Sequence, residues 1–439
     1  METSHLVILA IVLGGMAAMV PVFMCLFFAA VVGFVLYTDL PLATLVQTMF
    51  RSMDNFSLVV VLFFILCGNI MTSGSLVDKL IRAANAMVSW LPGGLGMAGV
   101  LGCAMFGAIS GSTVATVVAL GGFMIPALVQ YSYREKYAIG LMATSGNLGI
   151  IIPPSISMIL WSMITNVSVE GLFLTGFAPG ILITLGVCLY TYFYYKNRTD
   201  YVRPPVPSFR EFLGIMKDCI WALLLPVVIF SGIFTGVFTA NEAAVVACVY
   251  AFIVEIFIHK SMKFQEVKKV IVNSAVTSAT LLIIVAGATC FGRYLSLQNI
   301  PNQVAEAVLS VVHSPFIFLM VANLLLFVVG MFMDVISATL ILGPIFVPML
   351  RVFDVDMMHF GLLFTLNLAI GYCTPPVGVS LYIVGAIAKR DLIYVTKSVF
   401  PFLIIQMAVL FLLTYWQDFA LWLPKITGYW HPAPVVPAT

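Results

Sequence analysis

Two short polar segments lie between long apolar runs and hold the residues best suited to bind a solute or an ion. Residues 107–113 read GAISGST, in which five of seven residues are Gly, Ser or Thr. Residues 330–339 read GMFMDVISAT and add the carboxyl group of Asp334. Hydroxyl groups and backbone amides at a turn can hold an anion, and their oxygens can hold a cation. An ionisable group in apolar surroundings is costly and indicates function, although Asp334 can also cap a helix.

Each polar segment is followed by an apolar run that contains two adjacent prolines. Residues 145–154 read SGNLGIIIPP and residues 367–378 read NLAIGYCTPPVG. A Pro-Pro pair removes two N–H donors and breaks a helix, and the residue before a proline avoids helical geometry. Carbonyl groups near residues 149–152 therefore lose their helical partners. Together with hydroxyls they form an oxygen cage that suits a sodium ion.

The two sets of segments are related by one constant offset along the chain, which we call the repeat offset and define as the step from Pro153 to Pro375. The matching pairs are Pro153 and Pro375, Pro154 and Pro376, Pro126 and Pro348, Gly121 and Gly343, and Gly149 and Gly371. The same offset places Ser112 on Asp334 and Ile152 on Thr374. Several coincidences at one offset indicate an internal repeat. Two similar sites, one with more formal charge, are expected to bind more than one ion.

The composition predicts an all-α polytopic membrane protein. Of 439 residues 62% are hydrophobic and 9% are charged, against about 25% charged in a soluble domain. Many apolar runs reach the roughly 20 residues that a membrane span needs. The net charge of +2 comes from short loops and indicates no nucleic-acid partner, and the eight Cys stand mostly alone, without zinc spacing. The run that begins at residue 5 is interpreted as a retained membrane helix rather than a signal peptide.

The spacing of the runs predicts two repeats joined by a basic, Pro-rich linker. The predicted boundaries are 5–195 for the first repeat, with a re-entrant hairpin at 93–130 and a broken helix at 137–165; 196–219 for the linker; and 220–425 for the second repeat, with a hairpin at 315–350 and a broken helix at 358–386. With five crossings per repeat and a cytoplasmic linker, sixteen of the twenty Lys and Arg lie inside. An odd number of crossings makes the repeats inverted, an arrangement typical of transporters. Residues 76–90 and 302–313 are predicted to be amphipathic arms at the membrane surface.

Five segments in this order resemble the large membrane subunit of tripartite ATP-independent periplasmic transporters. They read GAISGSTVATV, GNLGIIIPPS, FTGVFTANEAAVVACVYA, GMFMDVISATLIL and IGYCTPPVGVSLY, and the resemblance extends from about residue 5 to residue 425. It implies the fold of the ion-transporter superfamily, with a scaffold and a mobile elevator domain. A first span that starts at residue 5 is similar to the split form, in which the small subunit is a separate chain.

The resemblance also implies partners and cargo in a bacterial inner membrane. Such subunits work with a small four-helix membrane subunit and receive substrate from a soluble periplasmic binding protein. Sodium, with at least two ions expected, drives uptake. The substrates are mostly carboxylates, including C4-dicarboxylates and sialic acids.

Carried onto this chain, the resemblance gives candidate site residues. The first sodium site corresponds to Ser110, Gly149, Ile152 and Pro154. The second corresponds to Gly330, Gly371, Thr374 and Val377, and several of these positions act through backbone carbonyls. The candidate substrate-binding residues are Ser112, Thr113, Asn147, Asp334, Thr339 and Gly378.

Other functions fit the sequence less well. A stand-alone sodium–carboxylate symporter of the same architecture, needing no binding protein, is the main alternative. An intramembrane hydrolase needs paired Asp, a Ser–His pair or a His-Glu-x-x-His motif within spans, which this sequence does not offer, so no enzyme activity is expected. Paired hairpin tips with Pro-Pro breaks also suit alternating access better than a passive channel.

Overall fold

The regular structure of the protein is helical throughout the part that the computed structural model describes. That part comprises residues 20–430 together with residues 7, 8, 10–12, 14, 15 and 18, so seven of the fifteen residues of the predicted run at 5–19 lie outside it. Ten helices of the described residues are long and apolar enough to cross a membrane. The prediction of an all-α polytopic membrane protein is confirmed.

The helices are numbered here in chain order. Those of the first half are α1 (Val22–Tyr37), α2 (Leu42–Met53), α3 (Phe56–Ser73), α4 (Leu76–Val88), α5 (Gly94–Ser110), α6 (Thr113–Gln130), α7 (Glu135–Ser145), α8 (Leu148–Ile151), α9 (Ile156–Thr165) and α10 (Val169–Tyr195). Those of the second half are α11 (Phe209–Phe234), α12 (Ala240–Ile258), α13 (Phe264–Leu297), α14 (Ile300–Leu309), α15 (Pro315–Phe332), α16 (Val335–Val352), α17 (Met357–Gly371), α18 (Val379–Ala388), α19 (Leu392–Tyr415), α20 (Gln417–Ala420) and α21 (Trp422–Thr427).

Capping residues set where several of these helices begin. Ser208 Oγ accepts the N–H of Glu211, and the Glu211 carboxylate accepts the N–H of Ser208 at 2.8 Å, so α11 starts with a capping box at Phe209. The irregular part of the chain between the halves is therefore residues 196–208, shorter than the 196–219 expected from composition. Thr239 and Glu242 form an equivalent capping box at the start of α12.

Amphipathic helices lie at the predicted arms and at one place that the sequence analysis missed. The arm predicted at 76–90 is α4, and the arm predicted at 302–313 is α14, which ends at Leu309. Helix α2 is also amphipathic, with Gln47 and Arg51 on its polar face and, on its apolar face, Leu45 buried and Leu42 and Phe50 exposed. Its short apolar stretch does not reach span length, so a search for spans passes over it.

The two halves interleave rather than fold side by side. Helix α3 of the first half packs on α12 of the second, and α1 packs on α13. Helices α7 and α10 pack on α19 and α17 in the same crossed manner. We call α1–α3 and α11–α13 the outer helices, and α5–α10 with α15–α19 the inner helices. The arms connect the two sets, since α4 contacts α5 and α11 and α14 contacts α16 and α13.

Helix α13 is the longest element of the described chain. Its 34 residues extend about 51 Å at 1.5 Å per residue, against a hydrocarbon thickness of about 30 Å. At the repeat offset, its counterpart in the first half is divided into α2 and α3. The same stretch of the repeat is thus one continuous helix in the second half and two helices in the first.

Candidate ion and solute site

The first hairpin turns at a glycine and a serine. Helix α5 ends at Ser110, and Gly111 follows with φ +61°, a conformation that glycine adopts without strain. Ser112 then begins α6, because its Oγ accepts the N–H of Ala115 at 3.4 Å. The Ser110 hydroxyl lies 3.2 Å from the Thr116 hydroxyl, which donates to the Ser112 carbonyl at 2.8 Å. The predicted tip therefore presents a compact set of oxygens.

The first tip packs directly on the first helix break. A Cβ added to Gly107 would lie 2.8 Å from the Cα of Gly149, so two backbones meet with no side chain between them. A Cβ on Gly149 would clash with Thr116 Oγ1 and would lie 2.6 Å from the Ser112 carbonyl. Gly149, a predicted sodium position, is thus held against the tip.

The first break begins at Ile152, immediately before the two prolines. Ile152 has extended backbone angles of φ −77° and ψ 128°. The carbonyls of Gly149 and Ile150 have no helical donor, because the residues four places on are Pro153 and Pro154. The Ile152 side chain points elsewhere, since a Cβ on Gly180 of α10 would lie 2.5 Å from its Cγ1. Any role of Ile152 at the site must therefore come from its backbone.

Pro154 borders the same tip. A Cβ on Gly111 would lie 2.7 Å from the Pro154 carbonyl oxygen, and the N–H of Ile156 donates to the Gly111 carbonyl at 3.5 Å. Residues 151–160 are all buried. The structure therefore brings Ser110, Gly149 and Pro154 together at one buried junction of tip and break.

The second hairpin turns at Asp334. Helix α15 ends at Phe332, and the Asp334 carboxylate accepts the N–H of Ser337 at 2.9 Å at the start of α16. The N–H of Val335 donates to the Tyr372 hydroxyl at 2.8 Å, which ties this tip to the second break. The Thr339 hydroxyl donates to the Val335 carbonyl of its own helix at 2.7 Å. The Asp334 side chain therefore caps α16 at a partly exposed tip, in agreement with its interpretation as a helix cap.

The second break repeats the close backbone approach of the first. A Cβ on Gly371 would lie 2.5 Å from the carbonyl carbon of Gly330. Gly378 has φ +50°, and its N–H donates to the Met331 carbonyl at 3.2 Å. The amide hydrogen of Gly378, a predicted substrate-binding residue, is thus hydrogen-bonded to the hairpin and helps to hold the tip in place.

The two helix breaks differ in solvent exposure. The first break is buried, whereas Pro375, Pro376 and Val377 of the second are exposed and Thr374 is partly exposed. The Thr374 hydroxyl donates to the Ile370 carbonyl at 3.1 Å, which leaves its oxygen lone pairs free to accept or coordinate. The second set of predicted sodium positions is therefore the more accessible one.

Asn147 links the two breaks. Its Nδ2 donates to Gln406 Oε1 at 2.9 Å, and Gln406 Nε2 donates to the Thr144 carbonyl at 2.8 Å. Cys373 Sγ lies 3.6 Å from Asn147 Oδ1 and donates to the Ala143 carbonyl at 3.3 Å. Asn147, Gln406 and Cys373 are fully buried. Asn147 therefore joins the inner helices across the centre, and this bond uses one of its two Nδ2 hydrogens.

A second buried amide network was not foreseen. Asn367 Nδ2 donates to Asn323 Oδ1 at 2.7 Å, and Asn323 Nδ2 donates to Thr414 Oγ1 at 2.9 Å. Gln406 and Thr414 lie in an apolar run far from the tips in sequence, and Asn323 lies within the first helix of the second hairpin. Their only sequence signal is an amide or hydroxyl within a span, which by itself also fits helix packing.

Five buried oxygens on the tips and breaks lack a hydrogen-bond partner within the described residues. They belong to Thr113, Ser145, Ser155, Ser337 and Asn367. Most buried polar atoms in proteins are paired, so each of these oxygens calls for a partner such as a bound water or ion. Ser145 and Asn367 are also equivalent at the repeat offset. This equivalence is the signal that could have added both to the candidate site residues.

Together, these features define a multi-pass α-helical membrane transporter. The fold is similar to that of the Alcanivorax borkumensis YdaH transporter, with a TM-score of 0.63 and 15% identity over 86% of this chain and 89% of that chain. Residues 9–419 match the family described as tripartite ATP-independent periplasmic transporter, DctM component.

Relatives agree with the family match. The chain is 34% identical over 439 residues to the C4-dicarboxylate TRAP transporter large permease protein DctM of Rhodobacter capsulatus, covering 97% of this chain and 100% of that protein. It is 32% identical over 418 residues to the sialic acid TRAP transporter large permease protein SiaM of Vibrio cholerae, covering 95% and 98%. The chain therefore belongs to the DctM component family of tripartite ATP-independent periplasmic transporters. It is a transport permease subunit and not an enzyme, and the predicted family is confirmed.

Proposed function

We propose that this chain is the membrane-embedded subunit of a sodium-driven, binding-protein-dependent importer of organic acids in a bacterial inner membrane. The cargo is a C4-dicarboxylate, a sialic acid or a similar carboxylate. The observation that carries the proposal is the close contact of each hairpin tip with a Pro-Pro helix break, made at facing glycines and accompanied by buried oxygens that have no partner within the described residues. Sodium is coordinated by carbonyls of unwound helices in other transporters with broken helices, and anionic groups are held at helix N-termini.

The two junctions of tip and break supply the sodium ligands in this proposal. The first ion is held around Ser110, Gly149, Ile152 and Pro154, where Ile152 contributes its backbone. The second is held around Gly330, Gly371, Thr374 and Val377, at the more exposed break. Hydroxyls and carbonyls are hard oxygen ligands, which suit a cation of this type.

The substrate carboxylate binds at the tips once sodium is present. Ser112 and Asp334 begin the second helix of each hairpin, and Thr113 and Thr339 lie in the first turns of those helices. Sodium offsets the charge of Asp334, which otherwise repels an anion. Asn147 and Gly378 border the bound substrate in this proposal and also fix the frame, because Asn147 Nδ2 donates to Gln406 and the Gly378 N–H donates to the Met331 carbonyl. Coupling follows because ordered tips bind the substrate more tightly than empty tips do.

Transport takes place when the inner helices move across the membrane against the outer helices. The arms α4 and α14 connect the two sets, and the linker side faces the cytoplasm, which places sixteen of twenty basic residues inside. The partners are a small four-helix membrane subunit and a soluble periplasmic binding protein that delivers the cargo.

The test is uptake of radiolabelled C4-dicarboxylate and sialic acid into proteoliposomes. The vesicles contain this chain with or without a candidate small subunit, with or without an inward sodium gradient and external binding protein. Uptake that requires all three is expected. Uptake by this chain alone would instead favour the stand-alone sodium–carboxylate symporter, and uptake that ignores sodium would overturn sodium coupling.

Substitutions in the same assay test the ion site. Ser110→Ala and Thr374→Ala are expected to raise the sodium concentration needed for half-maximal uptake. Thr427→Ala is the matched control, because its hydroxyl bonds the Leu423 carbonyl at 2.8 Å in the same way, away from both tips. Unchanged sodium dependence in both site variants would remove these residues from the proposed sites.

A further inference from the structure

A buried carboxylate joins one arm to the outer helices. Glu255 lies near the end of α12 and is fully buried, yet it belongs to neither tip nor break. It accepts the N–H of Ser75 at 2.8 Å and the N–H of Leu76 at 2.7 Å, and the Ser261 hydroxyl also donates to it. These N–H groups are the first two of the arm α4, which have no partner within their own helix. Glu255 thus caps a helix that is 180 residues away in sequence.

Further contacts attach the start of α4 at the same place, which we call the joint between α4 and α12. The Ser75 hydroxyl lies 3.0 Å from Glu255 Oε2 and 2.9 Å from His259 Nδ1. A Cβ on Gly74 would clash with the Glu255 carboxylate, so this position has room only for glycine. One turn further along the arm, Lys79 and Arg82 pair with Asp218 of α11 at 2.9 and 3.0 Å. The start of α4 is therefore attached to two outer helices.

The equivalent joint in the other half is weaker. At the repeat offset α1 corresponds to α12, and the arm α14 corresponds to α4. Within the described residues this joint has one neutral hydrogen bond, from Gln298 Nε2 to the Tyr37 carbonyl at 2.8 Å. Hydrogen bonds to a charged group are stronger than neutral ones. The two arms are thus attached at matching places with unequal strength.

We infer that Glu255 is a positioning residue for transport, which locks the start of arm α4 to the outer helices so that the arm bends at its other end. That other end leads into the inner helices through residues 89–93, where Gly93 has φ +71°. A fixed start transmits the movement of the first hairpin to this short segment. The inference rests on the proposed elevator, because an arm needs a fixed end only if the inner helices move.

The test compares Glu255→Gln with Glu242→Gln in the full complex. Glu255→Gln removes the negative charge and replaces Oε2 by an NH₂ donor, while its remaining oxygen can accept the N–H groups of Ser75 and Leu76 only as a neutral acceptor. Glu242 is the matched control on the same helix, because its carboxylate only caps α12 through Thr239 at 2.9 Å. Hydrogen–deuterium exchange of the peptide covering residues 75–81 measures how firmly the start of α4 is held. Uptake turnover per folded transporter measures whether this attachment matters for transport.

Glu255→Gln is expected to speed amide exchange in this peptide by about tenfold, as loss of one charge-assisted hydrogen bond does. Turnover is expected to fall while the equilibrium affinity for the substrate stays unchanged, since the tips are untouched. Glu242→Gln changes neither quantity. If Glu255→Gln does not fold, Ser75→Ala removes only the hydroxyl contacts to Glu255 and His259, keeps the backbone N–H bonds to Glu255, and is expected to act in the same direction.

Two results would overturn the inference. Unchanged exchange would show that Glu255 does not hold the arm, and faster exchange with unchanged turnover would show that the joint has no part in transport. A merely structural role would lower the amount of folded protein but leave turnover per folded molecule unchanged. Failure of the proposed function is recognised separately, as a wild-type complex with no sodium-dependent uptake, and the exchange comparison still decides whether the arm is anchored.

Discussion

Ser112 and Asp334 occupy the same place in the two hairpins, since each accepts the backbone N–H three residues further on and so begins the second helix. The distances are 3.4 Å to Ala115 N and 2.9 Å to Ser337 N. The backbone role is shared, and only Asp334 adds a formal charge. The difference in formal charge between the two tips therefore rests on one side chain.

Replacing Asp334 by Asn separates charge from capping. Asn also caps helices well, so the fold is expected to persist. Sodium affinity is expected to fall about tenfold or more, because a neutral oxygen replaces a carboxylate near the ion. The measurement is the sodium dependence of uptake, with Asp418→Asn as control because Asp418 pairs only with Lys425 near the chain end. An unchanged sodium requirement would show that Asp334 is a cap and nothing more.

Glycines at the junctions cannot carry a methyl group. In Gly149→Ala the new Cβ would clash with Thr116 Oγ1, and in Gly371→Ala it would lie 2.5 Å from the Gly330 carbonyl carbon. Each change is expected to destabilise the protein by about 1–3 kcal/mol and to abolish uptake by displacing the tip.

Gly122→Ala is the control for both glycine substitutions, because nothing lies within 4 Å of its new Cβ. This change removes a helix-interior glycine and is expected to be neutral or slightly stabilising. Thermal unfolding in nanodiscs and uptake together check the comparison. Full activity in Gly149→Ala would mean that tip and break need not touch.

Replacing Ser145 tests whether a bound ligand supplies the missing hydrogen-bond partner of its hydroxyl. Its buried hydroxyl has no partner within the described residues, so Ser145→Ala is expected to leave the melting temperature of sodium-free protein unchanged or higher. The stabilisation that sodium or substrate gives is expected to shrink. Ser157→Ala is the contrast, because that buried hydroxyl lies 2.8 Å from Thr365 Oγ1 and its loss lowers stability without ligand. A Ser145→Ala protein that sodium stabilises fully would contradict this role.

The central amide link is expected to be a stability element. Gln406→Ala leaves Asn147 Nδ2 without its partner, at about 1–3 kcal/mol for one buried group, whereas the Thr144 carbonyl still accepts the Asn147 N–H at 3.1 Å. The double variant with Asn147→Ala is expected to cost less than the sum of the two single changes, because they share one bond. Thermal unfolding checks this, with exposed Gln303→Ala as the neutral control. Additive losses would mean that the two amides act independently.

Positions controlled by backbone chemistry could be predicted from the sequence. Prolines 153–154 and 375–376 remove donors wherever the rest of the chain lies, so both helix breaks follow from local rules. The tip at Gly111 and the cap at Asp334 are equally local. The repeat offset is a property of the residue order alone, so it relates the two sets of segments without knowledge of their packing.

Contacts between distant helices could not be predicted in this way. The partner of Asn147 is Gln406, 259 residues away, and Glu255 meets Ser75 across 180 residues. Nothing in one stretch of sequence states which spans will be neighbours. Glu255 in particular follows a long apolar run and resembles an ordinary residue at the end of a span, so only packing reveals its role.

The length of α13 makes the protein sensitive to the lipid around it. A rod of about 51 Å in a hydrocarbon layer of about 30 Å must tilt or project, and its first turns, with exposed Lys268 and Lys269, mark the projecting end. Acyl chain length then sets the resting tilt of this rod, whereas the jointed pair α2 and α3 can adjust by bending between its two helices. The lipid chosen for a reconstitution is thus expected to change helix tilt by different amounts in the two halves of the chain.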